Sequence, residues 1–247
     1  MKLYYYNDTD NAGDFFASWL LRKFNKLVEF SNNAEIAITG SILAWPQVKH
    51  AKIWGCGFHN YEDKYFGNKD NIYAVRGKLT ADKLNLQNVV TGDPGLLVSR
   101  FYKPSSIKKY KFGIVAHYID YDFFSKLNLP SYVKVINMGT INIEKLMDEI
   151  YECEFVLSSS LHGIVFAHSY GIPAIRIKHK ELASKKSFKF LDYYSNFKIK
   201  FLQKEIKTQA DLDWNEFEIL YKSRILLTPS LADIEKIQNN LLTVFPA

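Results

Sequence analysis

Hydroxyls, histidines and small residues are densest in the stretch Glu154-Phe-Val-Leu-Ser-Ser-Ser-Leu-His-Gly-Ile-Val-Phe-Ala-His-Ser-Tyr-Gly-Ile-Pro-Ala-Ile-Arg176. It reads as a buried strand, a hydroxyl-rich turn, a helix and a second buried strand. Ser158, Ser159 and Ser160 suit the start of the helix, where unpaired N–H groups and partial positive charge attract anions. Leu161 and His162 fall in its first turn, where the imidazole could donate to a phosphate or move a proton. Gly163 would let a ligand come close to the backbone. Serines that merely cap the helix of an ordinary βαβ unit explain the same residues more simply.

Further polar groups follow other apolar runs. Asn11-Ala-Gly-Asp14 lies between a first strand and a first helix, where Gly13 permits a tight turn. Asp14 there could cap the helix or act as a base toward a hydroxyl. Trp54-Gly-Cys-Gly57 places Gly55 at a strand end, where backbone could meet a ligand or simply turn. Val75-Arg-Gly-Lys-Leu-Thr80 sets Arg76 and Lys78 at a strand-to-helix junction, suited to an anion or to solvent. Gly113-Ile-Val-Ala-His117 ends an apolar strand on a histidine, catalytic or structural.

The elements that would position these groups alternate along the chain. Strands are expected at residues 3–6, 34–38, 52–54 and 72–75, with helices at 15–24 and 79–84. After a basic, Pro-containing segment at 103–110, strands are expected at 111–116, 133–137, 155–157 and 174–177. Helices at 143–152, 163–170 and 229–242 complete the second run. The expected fold is α/β, with two doubly wound, Rossmann-like domains at 1–105 and 106–247 facing across a cleft. The last helix could return to the first domain. In such sheets ligands sit beyond the strand C-terminal ends, where the polar motifs fall.

Composition narrows the function classes. The 247 residues have 47% hydrophobic content, enough for one large or two small α/β units. A net charge of +6 suits anionic small molecules, an anionic membrane face or nucleic acid, and also plain solubility. The two cysteines, Cys56 and Cys153, read as buried free thiols, and with no signal-peptide pattern a cytoplasmic setting is expected. No apolar run reaches the length of a membrane span. No His/Cys cluster suggests zinc, so no metal or cofactor is expected.

Taken in order, these motifs resemble the polysaccharide pyruvyl transferase family. The matching residues are Asn11-Ala-Gly-Asp14, Trp54-Gly-Cys-Gly57, Val75-Arg-Gly-Lys-Leu-Thr80, Gly92-Asp-Pro-Gly-Leu-Leu97 and Gly113-Ile-Val-Ala-His117. Ser158-Ser-Ser-Leu-His-Gly163 with Tyr170-Gly-Ile-Pro173, and Phe188-Lys-Phe-Leu-Asp-Tyr193, extend the resemblance to about residue 195. It implies a GT-B type fold and transfer of pyruvyl from phosphoenolpyruvate to a sugar of a surface polysaccharide or its lipid-linked precursor. Some members have Arg two places before the histidine of the Leu-His-Gly motif, where this chain has Ser160.

For that chemistry the expected catalytic pair is Asp14 as base and His162 as acid or phosphate ligand. The expected binding residues are Asn11, Gly13, Gly55, Arg76, His117, Ser158, Ser159, Ser160, Leu161, Gly163 and Lys189, with Arg100 and Arg176 as secondary cations. Expected partners are phosphoenolpyruvate and a glycan or lipid-linked acceptor, with no nucleic acid and with peripheral contact at the inner membrane face. A glycosyltransferase using a nucleotide-activated sugar, or a glycan-binding protein of the same fold, would share the architecture. The first would need a base-and-ribose pocket, and the second would have no need of Asp14 together with His162.

Overall fold

Short runs rich in Ile, Val, Phe and Tyr, closed by Gly, Pro, Asn or Ser, form strands, and the amphipathic stretches between them form helices. The computed structural model describes residues 1–179 and 188–246, and among these the strands make two sheets, both wholly parallel. The first contains β1 (Lys2–Leu3), β2 (Glu29–Phe30), β3 (Ile36–Ala37), β4 (Lys52–Trp54), β5 (Ile72–Val75) and β6 (Val90–Thr91), in the order β2-β1-β3-β4-β5-β6. The second contains β7 (Tyr110–Ala116), β8 (Val133–Asn137), β9 (Cys153–Ser158), β10 (Ala174–Lys178) and β11 (Gln203–Glu205), in the order β8-β7-β9-β10-β11.

The two orders are the same winding. In each sheet the chain leaves the first strand for a neighbour on one side, then crosses to the other side for the third. The switch points therefore lie between β1 and β3 and between β7 and β9, and a doubly wound sheet opens a crevice at such a point.

Helices α1 (Ala12–Lys23), α2 (Lys78–Lys83), α3 (Val98–Phe101), α4 (Tyr121–Ser125) and α5 (Ile143–Tyr151) follow in chain order. Then come α6 (Leu161–Ser169), α7 (Phe188–Tyr194), α8 (Trp214–Lys222) and α9 (Leu231–Thr243). The capping chemistry is local and explicit. Asn11 caps α1, its Oδ1 accepting from the Gly13 N–H at 3.1 Å, and Asn142 caps α5 through the Lys145 N–H at 3.1 Å.

The sheets do not face one another across an open cleft along their whole length. One continuous apolar core joins them, running from Leu3, Phe16 and Ile38 to Val115, Val156 and Ile164. Every residue of α6 is buried, as expected of a helix apolar on all sides. It lies against α1, where the Phe16 and Phe166 rings are 5.3 Å apart. Helix α9 packs on the first sheet's side of this core: the Trp54 Nε1–H donates to the Leu241 carbonyl at 2.9 Å, and the Gln238 amide donates to the Leu96 carbonyl at 2.6 Å. The opening that remains lies at the strand C-terminal ends.

Candidate functional site

Both switch points empty into one cavity of about 320 Å³. The first sheet contributes the loop after β1 with the start of α1, and the loop after β3. The second contributes the loop after β7 and the start of α6. Helix α7 closes the floor with Lys189 and Phe190.

Asp14 owes its place to Asn11. Because Asn11 caps α1, the Asp14 carboxyl is released from capping and lines the cavity. Its Oδ2 accepts from Asn11 Nδ2 at 2.6 Å. Burial pushes its pKa from 3.8 up to about 7, against the pull of the nearby Lys189 charge and the Asn11 hydrogen bond. A carboxyl that titrates near neutrality is suited to taking a proton from a hydroxyl.

His162 reaches the cavity from the second sheet but is gripped by the first. Its Nε2 is 3.0 Å from Thr39 Oγ1 and 3.9 Å from Asp93 Oδ1, and Thr39 Oγ1 is 3.5 Å from that same carboxylate oxygen. A carboxylate only accepts, which favours a relay in which the imidazole Nε2–H donates to Thr39 and the Thr39 hydroxyl donates to Asp93. On the other edge of the ring, Nδ1 lies against Gly13, where any Cβ would overlap it. Gly13 is thus the gap in α1 that admits the imidazole. Burial holds the His162 pKa below its usual value; Asp93 pulls it up, while Lys189 and Arg76 push it further down. The free site therefore holds a neutral imidazole at neutral pH.

The start of α6 presents a polar wall. Ser159 and Ser160 line the cavity, and Ser160 at the N-cap makes no side-chain capping bond. Ser159 Oγ accepts from the His117 N–H at 2.9 Å, and His117 lines the cavity beside it. Ser158 turns inward. Its Oγ lies 2.8 Å from the Val115 carbonyl and 2.9 Å from the Ser160 carbonyl, and it accepts from the Ser160 N–H at 3.1 Å. It shapes the turn and does not line the cavity. Gly163 serves packing, because a Cβ there would overlap Ser158 and Val115. Leu161 lines the cavity, whereas Gly55 does not; Gly55, with φ +101°, lies against Pro94 and the Ile38 carbonyl.

The arginines exchange the roles expected of them. Arg76 is wholly buried away from the cavity. Its Nε and Nη2 both lie 2.9 Å from Asp192 Oδ2, its Nη1 donates to Ser41 Oγ at 2.7 Å, and its Nη2 donates to the Phe58 carbonyl at 2.6 Å. Asp192 also accepts from the Thr80 N–H and hydroxyl, each at 2.8 Å. This network ties α7 to the start of α2 and so fixes the helix that carries Lys189. The cavity's arginine is Arg176, whose guanidinium stacks 3.9 Å above the Phe190 ring. Burial lowers its pKa to about 10, so it stays charged. Arg100 is held on α9 by Gln238 and Asn239 at 2.6 and 2.8 Å, outside the cavity.

Thr39, Asp93, Tyr6, Trp45, Tyr118 and Asp120 belong to the site or its support without having been singled out as site residues from sequence. Asp93 stood within a recognisable motif, Gly92-Asp-Pro-Gly. Asp-x-Asp spacing does occur, for example at Asp8-Thr-Asp10 and Asp120-Tyr-Asp122. Among the described residues no three His, Cys, Asp or Glu side chains converge as a metal cage requires, and no helix is long and apolar enough to cross a membrane.

The family model for polysaccharide pyruvyl transferase matches residues 3–181, which takes in both switch points. "Uncharacterized protein L143" of Acanthamoeba polyphaga mimivirus is 31% identical over 218 residues, covering 80% of this chain and 74% of its own. With residues 3–181 of its 247 matched by that family model, the chain belongs to the polysaccharide pyruvyl transferase family.

Proposed function

We propose that the protein moves pyruvate from phosphoenolpyruvate onto two hydroxyls of one sugar in a surface polysaccharide or its lipid-linked precursor, closing a pyruvate ketal. Family membership makes it a transferase of polysaccharide synthesis. The observation that carries the finer reading is the meeting of Asp14 and His162, from different halves of the chain, in one cavity that also holds Arg176 and Lys189. A carboxylate-and-phosphate donor needs cations and hydrogen-bond donors on one side and a base on the other.

The first sugar hydroxyl adds to C2 of the enol as Asp14 accepts its proton. A proton delivered to C3 turns the methylene into a methyl group. The product of this addition carries phosphate and sugar oxygen on the same carbon. A second hydroxyl of the sugar then attacks that carbon and gives its proton to the departing phosphate, which leaves with the bonding pair as hydrogen phosphate. Arg176, Lys189 and the N–H groups at the start of α6 would hold the donor's negative charges throughout, and such fixed clamps supply a large share of rate acceleration. A bound dianion beside His162 raises the imidazole pKa, so the ring that is neutral in the free site becomes an acid once the donor is in place.

The test is release of inorganic phosphate from phosphoenolpyruvate with a panel of hexoside acceptors, followed by product mass. A product weighing acceptor plus pyruvate minus one water is expected. Glycosyl transfer from a nucleotide sugar, with phosphoenolpyruvate untouched, would replace this reading.

A further inference from the structure

Part of the cavity wall is aromatic. Tyr6, Trp45 and Tyr118 line it, each half-buried. The Tyr6 and Trp45 rings meet edge-to-face, with centroids 5.9 Å apart and planes at 80°. Tyr118 is close enough to Tyr6 to raise its hydroxyl pKa, and the Tyr118 ring leans on His117 at 4.4 Å. Tyr6 follows β1 and Tyr118 follows β7, so this wall draws on both switch points. Asp14, the candidate base, lines the same cavity as these rings. Asp120, two residues beyond Tyr118, also lines the cavity.

We infer that this aromatic corner is the acceptor subsite, and that it takes the apolar face of a neutral hexopyranoside whose reacting hydroxyls point to Asp14. The inference rests on the pyruvyl-transfer reading for the identity of the reaction, but not for the binding itself. A pyranose ring has C–H groups on its faces and hydroxyls around its rim. Aromatic rings take the C–H face, and the tyrosine hydroxyls, Asp14 and Asp120 can take the rim. A nucleobase is planar and stacks on a parallel face, which rings set at 80° do not offer as a pair. Two carboxyls on this wall disfavour a uronate. The donor's charges belong at the other wall, with Arg176, Lys189 and the start of α6.

Saturation-transfer NMR with methyl β-D-glucopyranoside, methyl β-D-galactopyranoside, methyl β-D-glucuronide and uridine diphosphate tests this directly on the full chain. A neutral hexoside should bind in preference to the glucuronide. Trp45→Leu and Tyr118→Leu should each weaken that binding roughly ten-fold, the scale of one lost stacking contact, and Trp45→Phe should restore most of it. In turnover assays the same variants should raise the acceptor KM while leaving the phosphoenolpyruvate KM within about two-fold of the parent. Because Trp45 also packs on Tyr4, the Tyr118 variant guards against a folding defect. No hexoside binding, hexoside binding unchanged in both leucine variants, or uridine diphosphate bound at these rings would each overturn the inference. If no acceptor releases phosphate from phosphoenolpyruvate but hexoside binding is lost in both variants, the subsite stands and the pyruvyl-transfer reading falls.

Discussion

The two sheets share one winding, yet their switch points carry different chemistry. At the first, between β1 and β3, stand Asn11, Asp14, Tyr6 and Ser41: a carboxyl with a raised pKa among aromatic and hydroxyl groups. At the second, between β7 and β9, stand His117, Ser159, Ser160 and His162, with Arg176 from the adjoining β10. On the pyruvyl-transfer reading, the first side would take the neutral polyol and the second the polyanion. Winding supplies the crevice, and the few residues after each strand decide what the crevice binds. The halves are nevertheless interlocked. His162 belongs to the second but is oriented by Thr39 and Asp93 of the first.

The sharpest way to break this division is to remove its two central groups. Asp14→Asn should lower turnover by about two orders of magnitude or more while leaving donor binding intact, the typical worth of a general base. His162→Ala should lower turnover similarly and also raise the phosphoenolpyruvate KM. Equal losses in both parameters from both variants would erase the distinction between the sides.

The two arginines offer the next largest contrast. Arg76→Met strands the buried Asp192 carboxylate and should cost about 3–5 kcal/mol of stability, read by denaturant titration. Arg176→Met should leave the midpoint nearly unchanged but raise the phosphoenolpyruvate KM roughly ten-fold or more. The reverse pattern would place the donor near Arg76.

A pH profile sharpens the assignment of Asp14. If it is the base, kcat/KM should rise with pH through about 7, and Asp14→Asn should lose that limb. Stability runs the opposite way. The Asp14 pKa of about 7 in the fold lies above its ordinary 3.8, so between those values the unfolded chain has released a proton that the folded chain keeps. Stability is therefore highest below the lower value, falls as pH rises between the two, and stays at the reduced level above about 7. At pH 8 Asp14→Asn should accordingly melt a few degrees higher than the parent, on the order of 1–2 kcal/mol. A lower melting point would show the carboxylate to be well compensated.

Gly13→Ala is the smallest cut. An added methyl cannot coexist with the His162 ring where it stands, so the imidazole must shift. We expect a turnover loss of roughly ten-fold or more with secondary structure intact by circular dichroism, since a small misplacement of a catalytic group is costly. Unchanged turnover would mean that the ring's position against α1 is unimportant.

What could be read from sequence was what local pattern encodes. The ends of β4, β5 and β8 match the expected strands residue for residue, because each is an apolar run closed by a turn residue. β2 and β6, at two residues each, are too short to show a period, and their existence depends on neighbouring strands. Asp14 and His162 were legible because each sits at a strand-to-helix turn. The error over Arg76 has a clear cause: its partner Asp192 lies 116 residues away, and nothing near Arg76 reveals that its charge is already committed. Thr39 is likewise invisible, an ordinary residue until His162, 123 positions on, is folded against it.

The all-round burial of α6 has a thermodynamic consequence. A helix shared by both sheets, in a core that also takes in α1, α5 and α9, leaves neither half able to melt while the other persists. The chain should show one calorimetric transition, with van't Hoff and calorimetric enthalpies in agreement. Two resolved transitions would mean that the shared core is weaker than its continuity implies.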